Sequence, residues 1–508
     1  MRGRVLTAAL AAVLLLSGCG GAPAPVETPT PTPTPTPVPE QRPFVLPCSP
    51  AGGFHPILGT NRLNLTFAPL VYEGLFALDR QFRPEKKLCS GYTVSEDGLQ
   101  WHFGLKEAYF SDGSPLTSVE AAASLDLART SQRYGPRLAD VARVDAGDGE
   151  VIVTLSRPNG GLPALLDIPI VKETGDPGRP LGTGPYVLTG EDLRQLSLTA
   201  LEGAEVPAER IPLQAVGSGD DLVCAFDARE VSLVDTDLTG TDSPGYSART
   251  ETTDYPTTTL LYLGFNTKAG LCREDSLRLA VSQAVDRDNI AGKLMAGHAQ
   301  AAALPLHPTA PGYDTELADT LSAGPDAALE TLTAAGWAVG EDGKLRRGHT
   351  MLNLKLAVNL ENTYKAAVAD AIAADLTALG MTVQVVKLPW EEFNAALARR
   401  SFDLYLGETA MTADFDPEPL VGPEGALNLG GWADAALTPL LEARRAAAGP
   451  ARPAEERALL ERLGATVPIA PLCFKNGSLL TQWGQVTGAQ PTQNNVFSQV
   501  EDWTILSD

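Results

Sequence analysis

The stretch from Leu352 to Leu406 constrains the fold more than any other part of this sequence. Leu352, Leu354, Leu356 and Val358 recur at every second position, as on one face of a strand. Glu361–Leu379 follows with Val368, Ile372, Leu376 and Leu379 at helical spacing, and Gly380 stands where a helix stops. Thr382–Leu388 has strand character again. Pro389 suits the first turn of a helix reaching about Arg400, and Phe402–Leu406 closes the run as a strand. Strand, helix, strand, helix, strand with short connections packs as parallel strands joined by right-handed crossovers. An α/β fold is therefore expected. Ligands in such sheets bind beyond the carboxyl ends of the strands, which draws attention to Gly407–Asp416.

The amino terminus reads differently. Arg2 and Arg4 precede an apolar run, Val5–Leu16, too short to span a bilayer but suited to the core of a secretory signal. It ends in Leu16-Ser17-Gly18-Cys19, which resembles a bacterial lipobox, so residues 1–18 are expected to be a signal peptide and Cys19 the lipidated residue. Residues 19–42 read as a Pro/Thr-rich linker. Thr28–Pro37 is a Thr-Pro repeat that cannot build a core and favours extended polyproline II. At about 3.1 Å per residue the stretch from Cys19 to Pro43 reaches roughly 70 Å, enough to tether a body to a membrane. A glycosylated stalk is left open.

From Pro43 onward the chain has length for two or three domains. A formal charge of −23 argues against nucleic acid or anionic lipid as partner. Once Cys19 is lipidated, Cys48, Cys89, Cys224, Cys272 and Cys473 remain, with no CxxC pair and no metal-ligand spacing. Cys48 could bridge to Cys89 or to Cys473. His55, His102, His298, His307 and His349 include no pair at helix-ligand spacing, and Asp145, Asp148 and Glu150 lack the full calcium-loop pattern. No cofactor or metal is expected. GxSxG, Walker A and SxxK/KTG motifs are absent, which weighs against an extracellular hydrolase.

Other local signals are Phe44–Leu46 as a first strand, Leu99–Leu105 as a half-buried strand, Thr117-x-x-Glu120 as a capping box opening a helix to about Arg129, and Val151–Leu155 as a strand. Several blocks in order then carry a resemblance. They are Val71-Tyr72-Glu73-Gly74-Leu75-Phe76, Val94–Leu99, Phe110–Thr117, Gly182-Thr183-Gly184-Pro185-Tyr186, Tyr262–Thr267, Arg278–Arg287, Ala335-Gly336-Trp337 and Glu501-Asp502-Trp503. Together they resemble the family 5 extracellular solute-binding proteins, which include oligopeptide-, dipeptide- and nickel-binding proteins.

The resemblance implies a two-lobed, periplasmic-binding-protein-like α/β fold of type II, with an extra inserted domain and a ligand cleft between the lobes. Lobe I would comprise 43–70, 180–260 and 471–508, the inserted domain 71–179, and lobe II 261–470. It implies a lipid-anchored protein outside the cell that hands an oligopeptide or dipeptide to an ABC permease. The protein would be a monomer and not an enzyme. A nickel chelate, or a sensing or adhesion role on the same scaffold, remains as an alternative. Ala413-Asp414-Phe415-Asp416-Pro417 matches the family segment whose Asp pairs with a peptide α-ammonium group, a role that competes with simple turn capping. Trp390 matches a Trp that packs on the ligand in some members, a role that competes with that of a core anchor on an amphipathic helix. Members usually carry Gly-Trp shortly before the Asp414 position, whereas the run Gly407–Thr412 has no Trp and two extra residues, which implies an altered pocket wall with Met411 and Thr412 as candidate ligand-binding residues. Trp432 is expected to be structural.

Overall fold

The computed structural model describes residues 43–506 apart from residues 177, 242 and 244. The expected signal peptide, Cys19 and the expected linker lie outside the described residues. Two large hydrophobic cores form among the described residues, beside two small clusters. The first takes nearly all its members from Leu260–Phe474; the second draws on Phe44–Tyr255 and Leu479–Trp503. The chain thus passes from one core to the other just after Tyr255 and returns just before Leu479.

Two long antiparallel strands, Thr250–Phe265 and Ile469–Gln482, make both passages. Their Thr, Tyr, Leu and Ile content favours extended backbone. Each also contains a proline, which cannot donate to the ladder. Pro256 and Pro471 sit where the pairing register shifts, so the missing N–H groups fall at irregularities rather than within regular ladder. These strands belong to a seven-stranded sheet. Its order is Leu233–Thr236, Ile469–Gln482, Thr250–Phe265, Leu404–Ala410, Asn353–Asn359, Thr382–Leu388, with Ala299–Ala301 also paired to Ile469–Gln482.

The parallel part is as the sequence indicates. Asn353–Asn359 pairs parallel with Thr382–Leu388 on one side and with Leu404–Ala410 on the other. The boundaries move. The first crossover helix is Thr363–Ala378, because Asn362 caps it and accepts the Lys365 N–H at 2.9 Å. The last strand begins at Leu404 and continues to Ala410, since Thr259–Phe265 pairs along all of it. Gly407–Ala410 is therefore strand, not loop. Likewise the first strand is Leu46–Cys48, fixed by parallel pairing with Leu213–Ala215.

In the second core Cys89–Val94, Gln100–Leu105, Glu150–Leu155 and Val141–Ala146 form an antiparallel sheet. Trp101 and Phe103 stack at 5.8 Å on its buried face. The capping box is present: Thr117 and Glu120 satisfy each other's backbone at the start of Ser118–Thr130. Gly182 and Gly184 run against Leu70–Val71, where a Cβ on Gly182 would lie 2.0 Å from the Val71 carbonyl oxygen.

All five described cysteines are free. Cys48, in the second core, is bridged neither to Cys473, in the first, nor to Cys89. Burial pushes the Cys48 thiol up to about 11. Among the described residues no helix is long and apolar enough to cross a membrane. Nor does any His/Cys/Asp/Glu group among them suit a metal ion. Asp145 instead pairs with Arg143 on an exposed hairpin.

Candidate functional site

The carboxyl ends of the parallel strands face the passages between the cores. Lys365, at the start of the first crossover helix, lies 3.3 Å from Glu408, and Lys475 lies 3.5 Å from the same carboxylate. Lys475 also pairs with Asp237 at 2.5 Å while its side chain is only 2% exposed. Asn362 donates to the Thr239 carbonyl at 3.1 Å. A line of alternating charge thus runs from the parallel sheet to the loop after Leu233–Thr236. Beside it opens a cavity of about 420 Å³, lined by Arg62, Arg133, Asp235, Asp237, Tyr255 and Lys475 among others. Arg62 pairs with Asp235 at 3.2 Å, and the Tyr255 hydroxyl donates to Asp235 at 2.5 Å. Burial and the Asp235 charge hold the Tyr255 hydroxyl well above the usual phenol range. Arg133 lies over the Tyr134 ring at 5.0 Å and has no carboxylate partner among the described residues.

Asp414 lies four residues beyond the end of Leu404–Ala410. Its side chain is 3% exposed. Oδ2 is 3.9 Å from Arg444 Nη1, a Coulombic contact too long for a hydrogen bond. Oδ1 has no hydrogen-bond partner. Arg444 and Arg452 both donate to the Asp414 carbonyl, Arg452 at 3.1 Å. Arg444 also reaches Glu456 at 2.8 Å. Burial opposes the Arg444 charge, yet Glu456, Asp414 and Asp416 outweigh it and raise its pKa. Burial, then repulsion from Asp414, raises the pKa of the Asp416 carboxyl. From the second core Arg157 pairs with Glu418 at 3.1 Å, and the Gly160 N–H donates to the Arg445 carbonyl at 2.7 Å. Gly161 packs so closely on Asp414 and Arg452 that a Cβ would come within 2.8 Å of the Asp414 Cβ. A cavity of about 290 Å³ remains here, walled by Phe82, Gly161, Leu306, Asp414, Phe415 and Arg452 among others.

Behind Phe415 sits His307, fully buried, with ring contacts to Phe82 and Phe474, each at 5.1 Å. Its Nδ1 accepts the Thr309 N–H at 3.1 Å, so the neutral ring carries its proton on Nε2. Burial pushes its pKa down from 6.5 to about 4. A depressed base binds fewer protons folded than unfolded, so stability present above pH 6.5 is lost as pH falls toward 4. The expected loss is about 3 kcal/mol more than in a His307→Asn protein over that window. Urea unfolding at stepped pH checks this; parallel pH slopes for the two proteins would show that His307 titrates normally.

The structure sets Asp414 on the smaller cavity but brings Trp390 to neither. Trp390 is 56% exposed, its N–H held by Glu361 at 3.0 Å. Met411 is buried, exchanging backbone and side-chain hydrogen bonds with Thr258. Thr412 is half-buried, and its hydroxyl has no hydrogen-bond partner. Trp432 lies 4.7 Å from the buried Arg278 guanidinium, a structural contact. Sequence reasoning missed Lys365, Glu408, Lys475 and Asp237. A lysine directly after the apolar run Pro468–Phe474 was the one local signal.

Two cores joined by crossing strands, with the smaller cavity walled by Gly161 on one side and Leu306 and Arg452 on the other, define a two-lobed α/β binding protein. The chain matches the model for bacterial extracellular solute-binding proteins, family 5 middle, over residues 83–423, and it belongs to that family. The family consists of transport solute-binding proteins that take up small-molecule or peptide ligands and work with an ABC permease, so the protein acts outside the cytoplasm. Protein XP55 of Streptomyces lividans is 27% identical over 415 residues, covering 75% of this chain and 74% of that one. A nickel ABC transporter structure from Bacillus halodurans is similar with TM-score 0.73 at 17% identity, over 91% of this chain and 98% of the other. The oligopeptide-binding protein AppA from Bacillus subtilis, in complex with a nonapeptide, is similar with TM-score 0.60 at 17% identity, over 92% and 100%. At such identity the structural likeness speaks to the fold.

Proposed function

We propose that the protein captures a short peptide with a free amino terminus and hands it to an ABC importer. The observation that carries this reading is Asp414: a buried carboxylate whose Oδ1 lacks a partner, on a cavity where the lobes meet. An ammonium group supplies the donors that oxygen needs. Lobe II corresponds to residues 261–470, with hinges in the crossing strands near Leu260 and Ala470. The cleft closes on the ligand as a hinge transition. Cys19 carries the lipid anchor, residues 19–42 are the tether, and the protein works as a monomer. One observation favours a second reading. Arg133, on the larger cavity and with no carboxylate partner among the described residues, suits an anionic ligand such as a metal chelate.

Mass spectrometry of the full-length protein, extracted from its membrane, tests both halves. The fragment beginning at Cys19 should carry a diacylglycerol, and denaturation should release short peptides with free amino termini. An unmodified Cys19 removes the anchor. Release of carboxylate-rich chelates instead of peptides moves the second reading to first place.

A further inference from the structure

The turn Asp79–Arg83 joins strands Phe76–Leu78 and Pro84–Lys86. Asp79 fixes it by accepting the Gln81 and Arg83 N–H groups at 2.7 and 2.8 Å. Phe76 belongs to the second core, yet Phe82 is buried in the first, whose other fully buried members all come from Leu260–Phe474. Its ring meets Phe415 edge to face at 4.9 Å and His307 at 5.1 Å, and Phe474 closes the group 5.7 Å from Phe415. Both Phe82 and Phe415 have left-handed backbone, with φ of 62° and 54°. Such backbone is strained for a bulky residue and persists only where packing enforces it. Phe415 is the neighbour of Asp414. Arg80, on the same turn, donates to the Asp254 carbonyl at 2.9 Å, beside the hinge strand's Pro256.

We propose that Phe82 is a positioning residue for ligand capture: docked between His307, Phe415 and Phe474, it holds the left-handed backbone that aims Asp414 into the cavity, and it leaves this socket when the cleft opens. The proposal rests on the two-lobe closure described under the proposed function. The knob acts on Asp414 through Phe415 and touches no ligand. Because burial of a phenyl ring is the attraction, its loss should lower the docked population by roughly tenfold or more.

The test uses the full chain with Cys19 and Cys224 replaced by serine and spin labels on Val119→Cys and Val339→Cys, at positions 63% and 51% exposed. Pulsed electron resonance then reads the distance between the lobes. Phe82→Ala is expected to move population from short to long distances, and Phe82→Leu to restore part of it. Trialanine, free and N-acetylated, supplies the readout that a purely structural role would not move. The preference for the free amino terminus should shrink in Phe82→Ala, because Asp414 is no longer aimed. An unchanged distance distribution in both variants, or a single long distance in the otherwise unaltered protein, overturns the proposal whether or not trialanine binds. If distances shift while trialanine binds no variant, the peptide reading falls and the knob stands.

Discussion

In titration calorimetry, N-acetylation of a short peptide is expected to weaken its binding by roughly two to three orders of magnitude, and Asp414→Asn to do nearly the same with the free peptide. The arithmetic follows from burial. Removing one partner of a buried charge pair leaves the other unpaired at about 3–5 kcal/mol, and each 1.4 kcal/mol is about tenfold in affinity. Combined, the two changes should cost less than their sum, since they remove one interaction. The acetylation arm is the cleaner one. Asp414 already stands within 3.9 Å of Arg444, and its carbonyl is held by Arg444 and Arg452. Its substitution therefore disturbs the protein as well as the ligand site, whereas acetylation touches the ligand alone. No effect of acetylation on wild type would rule out an ammonium site and favour the anionic reading.

The cluster around Asp414 should also govern stability. Arg444→Met leaves Glu456, Asp414 and Asp416 without their shared cation and the Phe415 carbonyl without a donor, while the Asp414 carbonyl keeps Arg452, in a site where the arginine side chain is 1% exposed. A loss of about 3–5 kcal/mol is expected. For a lobe-sized unit that corresponds to a melting point lower by roughly 10 °C. The penalty should ease as pH falls. The Asp416 carboxyl already titrates above its ordinary value through burial and Asp414, and losing the arginine raises it further. A raised carboxyl contributes stability below its unfolded pKa and loses it as pH rises through the folded one. Arg444→Met should therefore be more damaging at pH 8 than at pH 5. A variant melting within about 2 °C of wild type at pH 8 would show that the three carboxylates find other partners.

These two effects separate what is written locally from what is not. Alternation at Leu352–Val358, helical spacing over Val368–Leu376 and the stop at Gly380 are each set by a few neighbouring residues, so the parallel strands and their crossovers were legible. The Thr117–Glu120 box was legible for the same reason: its hydrogen bonds close within four residues. Element ends were less so. Whether Gly407–Ala410 is strand or loop depends on pairing with Thr259–Tyr262, far away in the chain.

The sequence by itself determined the α/β class, the alternation of parallel strands with crossover helices and, through its ordered motifs, the family. It also singled out Asp414. Only the tertiary structure decided that Arg444 and Arg452 share that carboxylate's surroundings, that Gly161 lies against it, and that Phe82 crosses into the other core. It also decided that Lys475 bridges Asp237 and Glu408. The reason is physical. Periodicity and capping are fixed by contacts three or four residues apart and leave a local trace. A buried ion pair or a docked ring is fixed by which distant surfaces the fold brings together, and no short stretch of chain records it.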